Sequence, residues 1–112
     1  MNQSLADIAL PVPIDHPFTY LVPSELQPQA TLGSRVLVPF GRKLLTGIIV
    51  DFPTTSPGKQ LKPIRDVLDA APSVSPEMLN LCRWIAEYYL APIGEVLKAA
   101  VPFGFLGYGK RV

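Results

Sequence analysis

Apolar positions in the first two thirds of the chain recur mostly at intervals of two, and near the C-terminus at intervals of three and four. The pattern predicts strands followed by helices. Leu5 to Pro13 reads as an extended segment with Ala6, Ile8, Leu10 and Val12 on one side, ended by Pro11 and Pro13, which suit a strand terminus or an edge. Asp15-His-Pro is a turn, and Phe18-Thr-Tyr-Leu-Val22 is a second strand rich in aromatic and β-branched residues. A polar loop from Pro23 to Gly33 leads into a hairpin. Its arms are Arg35 to Phe40 and Leu44 to Phe52, and its connection is Gly41-Arg42-Lys43. After a Pro/Thr/Ser/Gly loop from Pro53 to Gln60, Leu61 to Leu68 can extend along a sheet edge, because Pro63 cannot donate within a central ladder.

The period changes at Ser75. Ser75 is a good N-cap, Pro76 falls at the first helical position, and Glu77 favours the positive end of the helix dipole. Met78, Leu81, Cys82, Ile85 and Tyr89 then form the stripe of an amphipathic helix over about 75–90, which Pro92 stops. A shorter helix follows over about 93–100 and ends at Pro102. Residues 103–112, with three glycines (Gly104, Gly107, Gly109) and no periodicity, read as a linker. The fold class is therefore α+β.

A chain of 112 residues is one small domain, too short for a core plus a motor or kinase domain. Its 48% apolar and 17% charged content fits an ordered globular class, and its 13 scattered prolines punctuate short strands and loops. The single cysteine, Cys82, excludes an intrachain disulfide and a cysteine-based zinc site. No apolar run reaches a membrane span and the first residues lack a signal-peptide pattern, so the expected location is the cytoplasm, without a membrane partner.

The net charge of +1 conceals a segregation that changes the picture. Residues 1–34 hold Asp7, Asp15 and Glu25 and no Lys or Arg. Residues 35–65 hold six cations (Arg35, Arg42, Lys43, Lys59, Lys62, Arg65) against Asp51 alone. Such a patch suits a few phosphates at a strand end rather than a long duplex footprint. Gly41, beside Arg42 and Lys43 and with Arg35 at the start of the same hairpin, marks where backbone can approach an anionic ligand. A solvated hairpin face is the other reading of the same charges.

Catalytic chemistry is poorly supplied. The chain has one histidine, His16, and lacks a phosphate-binding loop and a Cys/His cluster, so no enzyme activity, metal or cofactor is expected of it. His16 reads as a surface or capping residue, and Cys82 as a small buried hydrophobe. Trp84, Tyr88 and Tyr89, at helical spacing, read as core and flank rather than as a stacking platform. Phe18, Tyr20 and Phe40 carry two readings, core packing or a stacking surface for nucleic-acid bases.

Several passages together resemble the N-terminal domain of the PriA family of replication-restart helicases, also called primosomal protein N-prime. They are Ala9-Leu-Pro-Val-Pro13, Phe18-Thr-Tyr-Leu-Val-Pro23, Gly33-Ser-Arg-Val-Leu-Val-Pro-Phe-Gly41, Gly47-Ile-Ile-Val50, Lys62-Pro-Ile with Val67-Leu-Asp69, and Trp84-Ile-Ala-Glu-Tyr-Tyr-Leu-Ala-Pro-Ile-Gly-Glu-Val-Leu97. The resemblance implies a small β-rich, barrel-like sheet closed by the C-terminal helices. It also implies a domain over 1–102, with 103–112 leading toward an absent winged helix. The implied function is binding of the 3′ terminus of a DNA strand, the nascent leading strand at an arrested fork. The implied partners are DNA with a free 3′-OH, the remaining domains of an ATP-dependent helicase, and other primosome proteins. By position, the family's terminal-nucleotide pocket falls on Phe18, Thr19, Tyr20, Gly41 and Lys62. Some members carry an acid where this chain has Thr19, a weaker acceptor, which shifts the expected recognition toward backbone groups. A protein-interaction module and a general single-strand or RNA-binding barrel are the competing classes.

Overall fold

A computed structural model describes residues 4–14, 16–55, 60–69 and 72–101. The strands are β1 (Ser4–Ala9), β2 (Phe18–Val22), β3 (Arg35–Phe40), β4 (Lys43–Asp51) and β5 (Asp66–Val67). A 3-10 turn (Ser24–Leu26) lies in the loop after β2, and two helices follow, α1 (Pro76–Tyr89) and α2 (Ile93–Ala100). The strands form one antiparallel sheet in the order β2-β1-β4-β3-β5. It curls until its edges meet. Leu21 bridges Pro63 in parallel, its amide donating to the Lys62 carbonyl and its carbonyl accepting from the Ile64 amide, each at 2.9 Å. Pro63, which has no amide, sits where none is required. The expected barrel-like α+β fold is therefore the observed one.

Both faces of the curled sheet are covered. Ala6, Ile8, Tyr20, Val36, Val38, Ile49 and Ile64 fill the inside, while Ala9, Ile48 and Val50 on the outside pack against Leu79, Cys82 and Leu97 of the helices. Burial on two sides explains why β1 is apolar at nearly every position instead of alternating. It ends at Ala9, short of the expected Pro13, because the chain turns there, with Val12 N–H bonded to the Leu10 carbonyl.

Helix α1 starts as the sequence dictates, with the Ser75 hydroxyl accepting from the Met78 amide at 3.1 Å. Its buried face differs from the expected one. Leu79, Cys82 and Ala86 are buried, whereas Leu81 is 49% exposed and Tyr89 68% exposed. Trp84 and Tyr88 are likewise outside the core, stacked on each other on the surface with centroids 5.1 Å apart. Apolar side chains cover more than half of the helix circumference, leaving only a narrow polar row at Asn80, Arg83 and Glu87, so spacing alone cannot say which part of that wide arc meets the sheet. Burial pushes the Cys82 thiol up, as befits a packing residue. Pro102, the expected linker 103–112, Asp15 of the first turn and Lys59 lie outside the described residues.

Arg35 is committed to structure. Its Nε and Nη2 donate to Asp69 Oδ1 at 3.0 and 2.9 Å, and its amide donates to Asp69 Oδ2 at 2.9 Å. Burial raises the Asp69 pKa, but the Arg35 side chain, the Ser73 hydroxyl and the Arg35 amide together outweigh it and hold it below its ordinary value. A depressed carboxylate contributes stability above its unfolded pKa and loses it as pH falls through the folded one. The stability difference between the wild type and Asp69→Asn should therefore be present at neutral pH and shrink progressively as pH falls below about 4. Urea titrations at pH 7 and pH 3 check this, and an unchanged difference would contradict it.

Candidate nucleic-acid interface

The β3–β4 hairpin closes with Phe40 opposite Lys43, leaving Gly41 and Arg42 as a two-residue turn. Gly41 has φ of +63° and Arg42 is not in the left-handed region, which is the II′ arrangement that demands glycine first. A Cβ on Gly41 would meet nothing within 4 Å, so the space beside it is open.

That open side faces a cavity of about 350 Å³, within the range of small-ligand sites. Three segments line it: His16 to Tyr20, then Pro39 to Gly41, then Gln60 to Lys62. Phe18, Thr19, Tyr20, Gly41 and Lys62, separate in sequence, thus come together. Tyr20 is buried, and its hydroxyl donates to the Pro39 carbonyl at 2.7 Å, tying β2 to the end of β3. Burial also raises its pKa, keeping the phenol a donor. Phe18 is half-buried and packs edge-on against Phe40 at 5.2 Å, with the His16 ring 5.1 Å away on another side. Tyr20 therefore matches the core-packing reading, while Phe18 and Phe40 share the cavity wall.

The main chain adds polar groups. Leu21 turns its amide and carbonyl outward to the 62–64 segment. Because outward and inward groups alternate along a strand, Thr19 turns its own amide and carbonyl outward too, at a point on the edge that no strand covers among the described residues. A donor and an acceptor thus sit side by side at the cavity.

The cations divide. Lys62 lines the cavity and is exposed, and Arg42 and Lys43 are exposed next to Gly41. Arg35 lies at the far end of β3, five residues from the turn's start, roughly 16 Å along a strand, and is paired with Asp69. It does not belong to a patch at the turn. Sequence reasoning missed His16, Gln60 and Leu61 as lining residues. His16 comes in beside Phe18, whose ring it packs on, while Gln60 and Leu61 come in only through the closure between β2 and 62–64, which nothing local encodes.

A curled antiparallel sheet with an aromatic-walled cavity, edge-directed main-chain groups and cations alongside is a small barrel that has the parts a binder of an anionic, planar-ringed ligand uses. The chain belongs to the 3′DNA-binding domain (3′BD) family of PriA, whose model matches residues 7–102. It is similar to replication restart protein PriA of Haemophilus influenzae, at 43% identity over 97 residues, covering 85% of this chain and 13% of that protein. Replication restart protein PriA of Rickettsia conorii is 35% identical over 98 residues, 88% of this chain and 15% of that protein. The Bacillus subtilis protein of the same name is 33% identical over 91 residues, 80% of this chain and 11% of that protein. The chain spans about an eighth of the length of these relatives.

Proposed function

We propose that this chain binds the 3′ terminus of a DNA strand in the cavity between β2, the hairpin turn and the 60–62 segment. In this reading it serves a replication-restart helicase as the module that inspects the nascent leading strand at an arrested fork. The observation that carries the reading is the convergence of Phe18, Thr19, Tyr20, Gly41 and Lys62 on one cavity beside an uncovered stretch of sheet edge. A terminal nucleotide has a free hydroxyl, no downstream phosphate and a base that unstacks without disturbing two neighbours. Phe18 would pack on its base or sugar, the open space at Gly41 would admit a base edge, and Lys62 would hold an upstream phosphate. Each base carries a hydrogen-bond donor or acceptor on its Watson–Crick edge, so the Thr19 amide and carbonyl suit any base. Indifference to sequence is what a fork sensor needs.

The module works by binding, without metal or cofactor, in the cytoplasm, and the remaining helicase domains and other primosome proteins are its further partners. The exposed Trp84–Tyr88 stack supports such protein contacts, on a helix that does not line the cavity.

Fluorescence anisotropy with one labelled oligonucleotide, ending either in 3′-OH or in 3′-phosphate, tests the reading. A phosphate adds about −1.5 to −2 charges, so a merely basic surface would bind it more tightly. The cavity should instead prefer the hydroxyl, by about 5-fold to 100-fold if one polar group is left unpaired by the phosphate. Equal or tighter binding of the phosphorylated strand would refute terminal recognition. With few cations at the site, the log-log salt slope should be about −1 to −3, and Lys62→Ala should make it shallower by about 1. A slope near −6 would mean an extended footprint.

A further inference from the structure

Asp7 is the one polar residue between Leu5 and Leu10, and the register of β1 and β2 sets it directly opposite Thr19. This is a pair without mutual backbone bonds, since the Thr19 main chain faces outward. The side chains make the link: Thr19 Oγ1 donates to Asp7 Oδ1 at 2.6 Å, as short as a hydroxyl–carboxylate bond should be. A threonine hydroxyl has one proton. With that proton given to Asp7, the oxygen keeps only acceptor capacity for anything else.

The carboxylate also places negative charge one side chain behind a residue that lines the cavity. Its charge is not cancelled locally. Among the described residues no cation forms an ion pair with Asp7, and the charged neighbours around the adjoining cavity of about 380 Å³ are Asp51 of β4 and Arg83 and Glu87 of α1. Two acids against one base leave that side negative.

We propose that Asp7 is a specificity-determining residue acting through Thr19, one that disfavours a terminal phosphate and admits a terminal hydroxyl. The inference rests on the 3′-end reading above. A phosphate is acceptor-only and anionic near neutral pH, so it meets both an oxygen that cannot donate to it and a repelling charge. A free 3′-OH can donate and carries no charge. The acid thus sets the sign of the preference, and Lys62 on another segment supplies the attraction that holds the strand.

The test measures the ratio of dissociation constants for 3′-phosphate and 3′-OH forms of one oligonucleotide, by anisotropy, in the wild type and in Asp7→Asn, Asp7→Glu and Asp51→Asn. Asp7→Asn should shrink the ratio by about fivefold or more, the order expected for losing one charge-assisted contact. Asp7→Glu, which keeps the charge, and Asp51→Asn, which removes the same charge from the neighbouring strand, should hold it within about twofold. Asp7→Ser is a second neutral variant with the same expectation as Asp7→Asn, so a folding defect in one does not decide the matter. A wild-type preference for 3′-OH that persists in both neutral variants overturns the role of Asp7 alone. An equal loss in Asp51→Asn would also overturn it, since net charge would then suffice. No preference in the wild type removes the 3′-end reading, and this inference with it.

Discussion

Gly94→Ala should cost more stability than Gly41→Ala, the same methyl added at the hairpin turn. A Cβ at Gly94 would overlap the Leu10 carbonyl, because the first turn of α2 lies directly on the chain leaving β1. Backbone cannot rotate away as a side-chain tip can, so the helix must lift from the sheet, loosening Leu97 from Ala9 and Ile48. Overpacking of this kind costs about 1–3 kcal/mol or more, roughly 5–20 °C in melting temperature for a domain of this size. Gly41→Ala is the comparison. Its Cβ meets only open space, so its cost is the left-handed backbone alone, about 1–2 kcal/mol. Thermal unfolding followed by circular dichroism separates the two, and a Gly94→Ala midpoint at or above that of Gly41→Ala would show that α2 is not held against β1 in this way.

Phe18→Ala should have the largest effect on binding. Stacking of one base on an aromatic ring is worth about 1–3 kcal/mol, or 5-fold to 150-fold in affinity. Phe18 is half-buried at the cavity, where it touches Phe40 and His16 and packs on the margin of the barrel core in which Ile8 and Val38 are fully buried. Its loss should therefore weaken binding of a free 3′ end far more than it lowers the melting temperature. A large drop in melting temperature with unchanged affinity per folded molecule would assign Phe18 to the core instead.

What could be read in advance follows the range of the interactions involved. The hairpin was legible because Val-rich arms and Gly41 are local signals, and α1 announced its start through Ser75, Pro76 and Glu77. The face of α1 was not legible, because Leu81, Trp84, Tyr88 and Tyr89 offer as good an apolar row as Leu79, Cys82 and Ala86. Which row is buried depends on where the sheet lies. Arg35 read as a free cation because Asp69 is 34 residues away, and its pairing comes with the antiparallel contact of β3 and β5. Five candidate residues were placed by resemblance, yet the Thr19 edge depends on the bond from the Leu21 amide to the Lys62 carbonyl, a closure across the whole sheet. Asp7 is, in the sequence, only one of three acids in residues 1–34, and its partner comes from the register that sets it against Thr19.

That closure also has a kinetic side. Leu21 and its bridge seal the edge of β2 on one side of Thr19, and Pro17, which has no amide to offer, bounds it on the other. One residue's worth of edge therefore remains, and an incoming strand cannot zip along β2. In the proposed reading, main-chain pairing of a strand end is confined to this one residue, so it adds few bonds to the contacts of Phe18 and Lys62 and slows release little. Under that proposal, the geometry suits inspection of a strand end rather than capture of a long stretch of strand.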